Sequence, residues 1–262
     1  MAETDWLVGV VRRGPFLAAL RERPHDRRDL QAALDVSKPT VHRAMRALDD
    51  EGLVERSDGR YRLTGAGRIV AERVASLDRA GRAIRRLSPL LALVDPIALD
   101  LDVERFADAT VTTAGAGAPY RPVRRFMTLV EGTDSLRGFD TTTVAPMHVE
   151  GIYERIVDGM ETDVVYPSSV VEEILESNPE RGAAAVESGN LALSVHEEVP
   201  CGLALFDDRV GIGGYDPDTG ALRVFVDTDD PDAYAWGESL YERYRTEATP
   251  LVGPALAAER NP

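Results

Sequence analysis

The chain of 262 residues contains one cysteine, Cys201, and one lysine, Lys38. A single cysteine forms no internal disulfide and builds no cysteine cage for a metal. The four histidines, His25, His42, His148 and His196, have no zinc-ligand spacing among them. A phospholipase-D-type site needs a His-x-Lys pair, one residue to attack and one to hold phosphate. His148-Val149-Glu150 and His196-Glu197-Glu198 do not fit that pair. Neither a Gly-x-Ser-x-Gly elbow nor a P-loop occurs. Gly115-Ala116-Gly117 before a helix is a faint phosphate-loop echo, and a flexible βα loop explains it better. Long hydrophobic runs are missing too: the densest apolar stretches are short and broken by Arg, Pro or Asp. The start, MAETDWLVGVVRRGPF, has acidic residues first and no signal-peptide pattern. These absences lead us to expect a cytoplasmic protein that is not an enzyme, with no membrane partner, no metal and no cofactor.

Acid is in excess. Asp and Glu number 45 against 30 Lys and Arg, a net charge of −15. Abundant carboxylates with an almost purely arginine cation set suit concentrated salt, where self-repulsion is screened. An ordinary acidic protein is the competing reading. The charge is unevenly spread: residues 1–72 hold 13 basic and 12 acidic groups, residues 73–262 hold 17 and 33. The part that is not acidic is the N-terminus, which favours a nucleic-acid contact there and argues against one further on.

The N-terminal segment 26–64, DRRDLQAALDVSKPTVHRAMRALDDEGLVERSDGRYRLT, reads as helix, tight turn, second helix and hairpin. Leu30, Ala33 and Leu34 form one apolar stripe; Val41, Met45 and Leu48 form another at helical spacing. Asp26 and Ser37 are N-cap types, Pro39 sits in a first turn, and Gly52 is placed to end the second helix. Two alternating runs flank Ser57-Asp58-Gly59-Arg60. The order is that of a winged helix-turn-helix, whose second helix enters the major groove of duplex DNA. Ahead of it, Leu7, Val10, Val11, Leu17 and Leu20 should supply the core face of a first helix, kinked near Gly14-Pro15.

A recognition helix offers its polar side chains opposite its core stripe. Ser37 and Lys38 open this one, and Thr40, His42, Arg43 and Arg46 lie off the stripe. Thr40, His42 and Arg43 are assigned to base edges, Lys38 and Arg46 to phosphate. Arg60 at the wing tip is set for a minor groove or a phosphate. Arg62 is either a DNA contact or an exposed strand residue. In near-molar salt phosphate contacts alone would be too weak, so binding has to lean on base contacts, shape and dimerisation.

Beyond the wing a long helix is expected to about Leu93. Val70, Val74, Leu77, Gly81, Ile84, Ser88 and Leu91 form a heptad-like seam weakened by Gly81 and Ser88. Two readings compete: a dimerisation helix using Val70, Val74, Leu77, Ile84 and Leu91, or a connector packed on its own domains. Residues 96–107 read as a linker with a short helix near 102–106. From Asp108, βα alternation followed by adjacent strands implies an α/β domain with a mixed sheet. The fold class is thus two-domain α+β/α/β. The expected boundaries are 1–67 for the winged helix, 68–94 for the linking helix, 95–248 for the α/β regulatory domain and 249–262 for a flexible tail. A small effector would sit at the carboxyl ends of the strands. Candidates are Asp140, Thr141, Thr142 and Thr143 after one strand, and Ser168 and Ser169 after another, with ordinary loop and cap roles as the alternative. Cys201, beside Pro200 and Gly202, reads as a buried structural thiol rather than a sensor.

The run PHDRRDLQAALDVSKPTVHRAMRALDDEGLVERSDGRYRLTGAGRIVAERV resembles archaeal winged-helix transcription regulators, with many haloarchaeal paralogues among them. The segments ADATVTTAGAGAPYRPVRRFMTLVEGTDSLRGF, CGLALFDDRVGIGGYDPDTGALRVFVDTDDP and AWGESLYERYRTEA resemble the regulatory domain of methanogenesis and filament-growth regulators. Such regulators look distantly related to the TrmB type. The resemblance implies a dimeric regulator with double-stranded DNA as partner, and a C-terminal domain for an effector of unknown identity or for oligomerisation.

Overall fold

The structure, a computed structural model, describes residues 3–142, 146–177 and 179–251. It divides into two compact units, separated along the chain between Arg82 and Ala83.

The first unit runs α1 (Glu3–Arg12), α2 (Gly14–Glu22), α3 (Arg27–Leu34), α4 (Lys38–Asp50), β1 (Val54–Ser57) and β2 (Arg60–Leu63), then enters α5 (Gly65–Leu91). Local chemistry sets the boundaries. The Asp26 carboxylate accepts the Arg28 and Asp29 N–H groups, and Asp29 returns a bond to the Asp26 N–H, a reciprocal capping box. Ser37 Oγ accepts the Thr40 N–H at the start of α4, with Pro39 in its first turn. Gly52, at φ +68°, reverses the chain into β1, a conformation a side chain would strain. The strands pair antiparallel from Val54↔Leu63 to Ser57↔Arg60, and Asp58 and Gly59 close the hairpin at φ +51° and +79°. Leu17, Leu30, Val41, Met45, Leu48 and Tyr61 pack as one core.

The first helix is broken at Arg13, beside the expected Gly14-Pro15. Its core face differs from expectation: Val10, Leu17 and Leu20 are buried while Leu7 (54% exposed) and Val11 (39%) are not. The break resets the helical phase, so one apolar stripe does not run through both halves. The seam of α5 is divided as well. Val70 and Val74 pack on the first core and Leu91 on the second, leaving Leu77 (58%) and Ile84 (48%) exposed.

The second unit is built on an eight-stranded mixed sheet, in the order β10-β6-β5-β4-β7-β8-β9-β3. Its strands are β3 (Thr110–Thr113), β4 (Ser135–Phe139), β5 (Glu161–Tyr166), β6 (Leu191–Val195), β7 (Gly202–Leu205), β8 (Val210–Tyr215), β9 (Leu222–Thr228) and β10 (Thr249–Pro250). Strands β4, β5 and β6 are parallel, whereas β7 runs antiparallel to β4 and is followed by antiparallel β8 and β9. Alternation sends side chains to two cores. Leu203, Leu205, Val224 and Val226 meet the end of α5 and α10 (Pro231–Glu247) through Leu87, Leu90, Trp236 and Leu240. Ala204, Phe206 and Phe225 face the other way. They meet α6 (Arg121–Glu131), α7 (Pro146–Val157) and α9 (Pro179–Glu187), while α8 (Ser168–Ser177) packs beside α9.

Two expectations need correction. Residues 96–107 are no linker: Leu99 and Phe106 are buried, with Phe106 edge-on to Trp236 at 5.5 Å between centroids. Short, polar-punctuated segments look linker-like until a partner surface covers their few large apolar groups. The tail does not begin at Thr249, because Thr249 and Pro250 pair with Val195 and Ser194 on the edge of the sheet; residues 252–262 lie outside the described residues.

One ionic knot ties α6 to the sheet. Asp227 on β9 has no solvent exposure and accepts two bonds from Arg125, at 2.9 and 2.7 Å, and one from Arg209 at 2.9 Å. Removing one member of a buried pair leaves the others desolvated, and these arginines keep partial water access. Asp227→Ala should therefore destabilise the C-terminal unit by about 3 kcal/mol, at the lower end for such sites. Urea unfolding followed by the tryptophan signal measures it, and an unchanged midpoint would contradict the assignment.

Candidate nucleic-acid interface and C-terminal pocket

On α4, Val41, Ala44, Met45 and Leu48 are buried, and Ser37, Lys38, His42, Arg43 and Arg46 are exposed. The helix thus buries one stripe and leaves the polar face open. Thr40 is half-buried and shares a 2.8 Å hydroxyl contact with Ser37, so both hydroxyls belong to the cap as well as to the polar face. Arg46 lies 3.8 Å from Asp50 with both side chains largely exposed. In the wing, Arg62 pairs with Glu55 across the strands at 2.8 Å, which draws its guanidinium along the hairpin. Arg60 is exposed at the turn and lies close enough to Asp26 to help lower that carboxyl, chiefly held down by the Asp29 and Arg28 N–H groups. Two cations near the polar face were not singled out from sequence. Arg28 is exposed on α3, and Arg56 lies over the Tyr61 ring at 5.8 Å. Charge parity with neighbouring Asp and Glu hid them.

The C-terminal unit encloses a pocket of about 300 Å³ where β4 meets β7. Val123 and Phe126 of α6, with Ala204, Leu222 and Phe225 of the sheet, form apolar walls; Asp140, Tyr215, Thr219 and Arg223 are the polar lining. Asp140 follows β4, with its N–H on the Val165 carbonyl. Its carboxylate accepts the Tyr215 hydroxyl at 2.5 Å and the Thr141 N–H at 2.7 Å. Tyr215 lies two residues beyond Gly213, on the same face of β8; opposite it β9 carries one extra residue, Arg223, which turns Leu222 to the pocket face.

The pair fits against the sheet because Gly202 and Gly213, cross-strand partners on β7 and β8, carry no side chain. A Cβ at Gly202 would lie 2.9 and 3.1 Å from the two Asp140 oxygens, and one at Gly213 would lie 3.2 Å from the Tyr215 hydroxyl. Burial pushes the Asp140 carboxyl up to about 7, against the lowering pull of Tyr215 and the Thr141 and Thr142 N–H groups. Burial, then the Asp140 charge, drives the Cys201 thiol up, as expected of an inert buried cysteine.

Residues 119–247 match the family described as "Methanogenesis regulatory protein FilR1, middle domain", and residues 1–86 match the "HVO_A0261 N-terminal domain". Over residues 119–247 the chain is thus similar to the FilR-type regulators. No curated protein matches it. Among solved structures it is similar to TrmBL2, described as an archaeal chromatin protein with a novel mode of DNA binding. The two are 15% identical, with 92% of this chain and 94% of that one covered at a TM-score of 0.45. It is also similar to NucT from Helicobacter pylori, at 13% identity, 55% and 98% coverage and a TM-score of 0.41. Nuc from Salmonella typhimurium, a phospholipase D family member, is 12% identical over 55% and 97% of the chains, with a TM-score of 0.42.

One of the residues expected at an effector site, Asp140, lines the pocket. Thr141 and Thr142 adjoin it, and Thr141 contributes its N–H. Thr143 lies outside the described residues. Ser168 and Ser169 begin α8, and Ser169 borders a separate shallow surface with Glu172, Glu173 and Glu176. Tyr215, Arg223 and the two glycines were missed. The signal for them was present: glycine inside otherwise apolar strands marks a close approach or a ligand face.

The Asp140 titration has a defined sign. Its carboxyl stands at about 7 in the fold against 3.8 for the ordinary group, so ionising it costs stability as pH rises from about 4 to about 7. That cost is absent below the lower value and complete above the upper one. Asp140→Asn should therefore gain on the unaltered protein across this interval and hold the gain above it. Paired thermal melts as a function of pH check this; a difference that does not vary with pH would overturn it.

Proposed function

We propose that this chain is a sequence-specific, homodimeric, DNA-binding transcription regulator whose C-terminal unit answers to a small effector. The observation that carries the DNA reading is the open polar face of α4, with Lys38, His42 and Arg43 exposed opposite a fully buried stripe. It lies in the one part of the chain without excess acid. Thr40, His42 and Arg43 read base edges; Lys38, Arg46 and Arg60 hold phosphate. Ser37 fixes the helix start, and Arg62, bonded to Glu55, steadies the wing. The match to a regulator's middle domain supports the regulatory reading.

Dimerisation draws support from the apolar groups left exposed, Leu77 and Ile84 on α5 and Trp6, Leu7, Val8 and Val11 on α1. Of the seam residues first considered, Val70, Val74 and Leu91 serve their own units, so the dimer contact falls to Leu77 and Ile84. The competing reading as an enzyme fused to a DNA-targeting module lacks a complete catalytic set: the lone lysine stands in the DNA module. The acidic, arginine-based composition adapts the whole to concentrated salt.

Genome-wide mapping of binding sites, repeated with Arg43→Ala, tests the proposal. Arg43→Ala should weaken the selected site by about 1–3 kcal/mol and relax preference at one base pair, whereas Lys38→Ala should weaken all duplexes alike. Equal affinity for random and selected DNA would reassign the chain to non-specific chromatin binding. Leu77→Asp with Ile84→Asp should yield a monomer by sedimentation and lower operator affinity; an unchanged dimer would place the contact elsewhere.

A further inference from the structure

The pocket beside Asp140 carries more than the bare statement that an effector binds. A carboxylate at the floor of an apolar cavity is costly unless it is protonated or paired with a cation. Among the described residues the partners of Asp140 are the Tyr215 and Thr141 hydroxyls and the Thr141 and Thr142 N–H groups, none of them cationic. The titratable groups facing it are weak acids: Tyr215 from β8, Tyr166 from the end of β5 and Cys201 just ahead of β7. Burial, reinforced by the Asp140 charge, keeps all three protonated. From α6 the pocket receives Val123 and Phe126, which carry no charge, and the Arg125 guanidinium is spent on Asp227. Among the described residues the one cation in the lining, Arg223, is exposed and lies 4.0 Å from Asp216. Both carboxylate oxygens rest against Gly202, whose missing side chain makes room for them, and Asp140 lines the cavity beside it. They therefore offer acceptors to an incoming donor, and a positive one gains most because the surroundings are dry.

The rest of the cavity describes the ligand's body. A volume of about 300 Å³ lies at the small end of the range for ligand pockets. Phe126 and Phe225 stand edge-to-face at 5.8 Å, with Leu222 beside them, an apolar wall suited to one ring or a branched chain. We propose that this pocket binds a small organic ammonium ion, an amine carried on one apolar ring or its aliphatic equivalent, with the nitrogen on Asp140 and the body against Phe126, Leu222 and Phe225. The proposal rests on the reading of the C-terminal unit as an effector domain, and it supplies the effector's chemical class.

Calorimetry on the full chain, without DNA, tests it with three probes of matched size: phenethylamine, phenethyl alcohol and hydrocinnamate. The amine should bind, and the neutral and anionic probes should bind roughly tenfold more weakly or not at all. Below the Asp140 titration its affinity should fall about tenfold per pH unit, following the ionised carboxylate. Asp140→Asn keeps an acceptor for Tyr215 and should fold, yet lose the amine. Gly202→Ala, whose methyl meets the carboxylate, should weaken binding at unchanged circular dichroism. The proposal falls if the alcohol binds equally, if hydrocinnamate binds more tightly, if Asp140→Asn retains the amine, or if no amine heat is seen. Operator affinity with and without phenethylamine is a separate measurement. Amine binding that leaves DNA affinity untouched would uphold the ligand assignment and remove only its coupling to DNA.

Discussion

The pairing of β4 with β7 is the constraint on which the C-terminal unit depends. On one side of it the strands are parallel and need helical crossovers; on the other they are antiparallel and need only hairpins. At this seam a parallel strand ends beside the start of an antiparallel one, so Asp140 comes to lie over Gly202 without any long-range loop. The next pairing aligns Gly202 with Gly213, and alternation along β8 puts Tyr215 on the same face, onto Asp140, while the extra residue of β9 turns Leu222 toward them. An acidic group, a hydroxyl and the room that holds them are thereby produced by sheet register. Helix α6 then roofs the pocket, held by the Asp227 knot and by the packing of Phe126 and Val130 on the sheet.

The N-terminal unit works under a different constraint, the limited positive charge of the chain. With one lysine and near parity of acid and base in residues 1–72, it does not present a broad cationic surface. Some of its arginines are also engaged, Arg62 with Glu55 and Arg27 with the Tyr61 hydroxyl. What remains accessible is a short row on α4 with scattered arginines beside it, Arg28 on α3 and Arg56 and Arg60 in the wing. A surface of this kind gains little from counterion release and more from directed hydrogen bonds to bases. That is consistent with a protein whose acidic remainder would repel DNA.

How far the sequence revealed this depended on the range of the interactions. The caps at Asp26 and Ser37, the Asp58-Gly59 turn and the buried stripe of α4 follow from neighbours a few residues apart, and they were legible. The order of the sheet's elements was legible for the same reason, since period and turn residues mark each strand. The misplacements came where distant surfaces decide burial. Leu99 and Phe106 looked like linker because Trp236 covers them from more than a hundred positions away. Leu7 and Val11 looked like core because their stripe has the right spacing, but the break at Arg13 turns it. The pocket was half legible. Asp140 stood at a strand's carboxyl end, where open sheets place ligands, whereas Gly202, Gly213 and Tyr215 gained meaning only through cross-strand register.

A regulator also needs its two functions to share an element with more than one arrangement. The helix α5 is the covalent candidate: Ala71 belongs to the first core, Leu87 and Leu90 to the second, and Leu77 and Ile84 between them are exposed. Its last turns pack on the sheet face opposite α6, against strands that also line the pocket; Leu90 and Leu93 reach Gly214, next to Tyr215. A ligand that stiffens or moves Tyr215 therefore acts one residue away from the end of α5. Gly214 leaves little slack there, because a Cβ would stand 3.2 Å from both leucines. In a contact so close, a small displacement at Tyr215 is passed on to the helix rather than absorbed, since packed interiors repack in steps rather than deform smoothly. The size of any response is bounded by the ligand's preference for one arrangement over the other, not by how tightly it binds. An ionised Asp140 paired to a cation and a neutral one left alone differ in charge, hydration and hold on Tyr215, and that difference is where such a preference would arise.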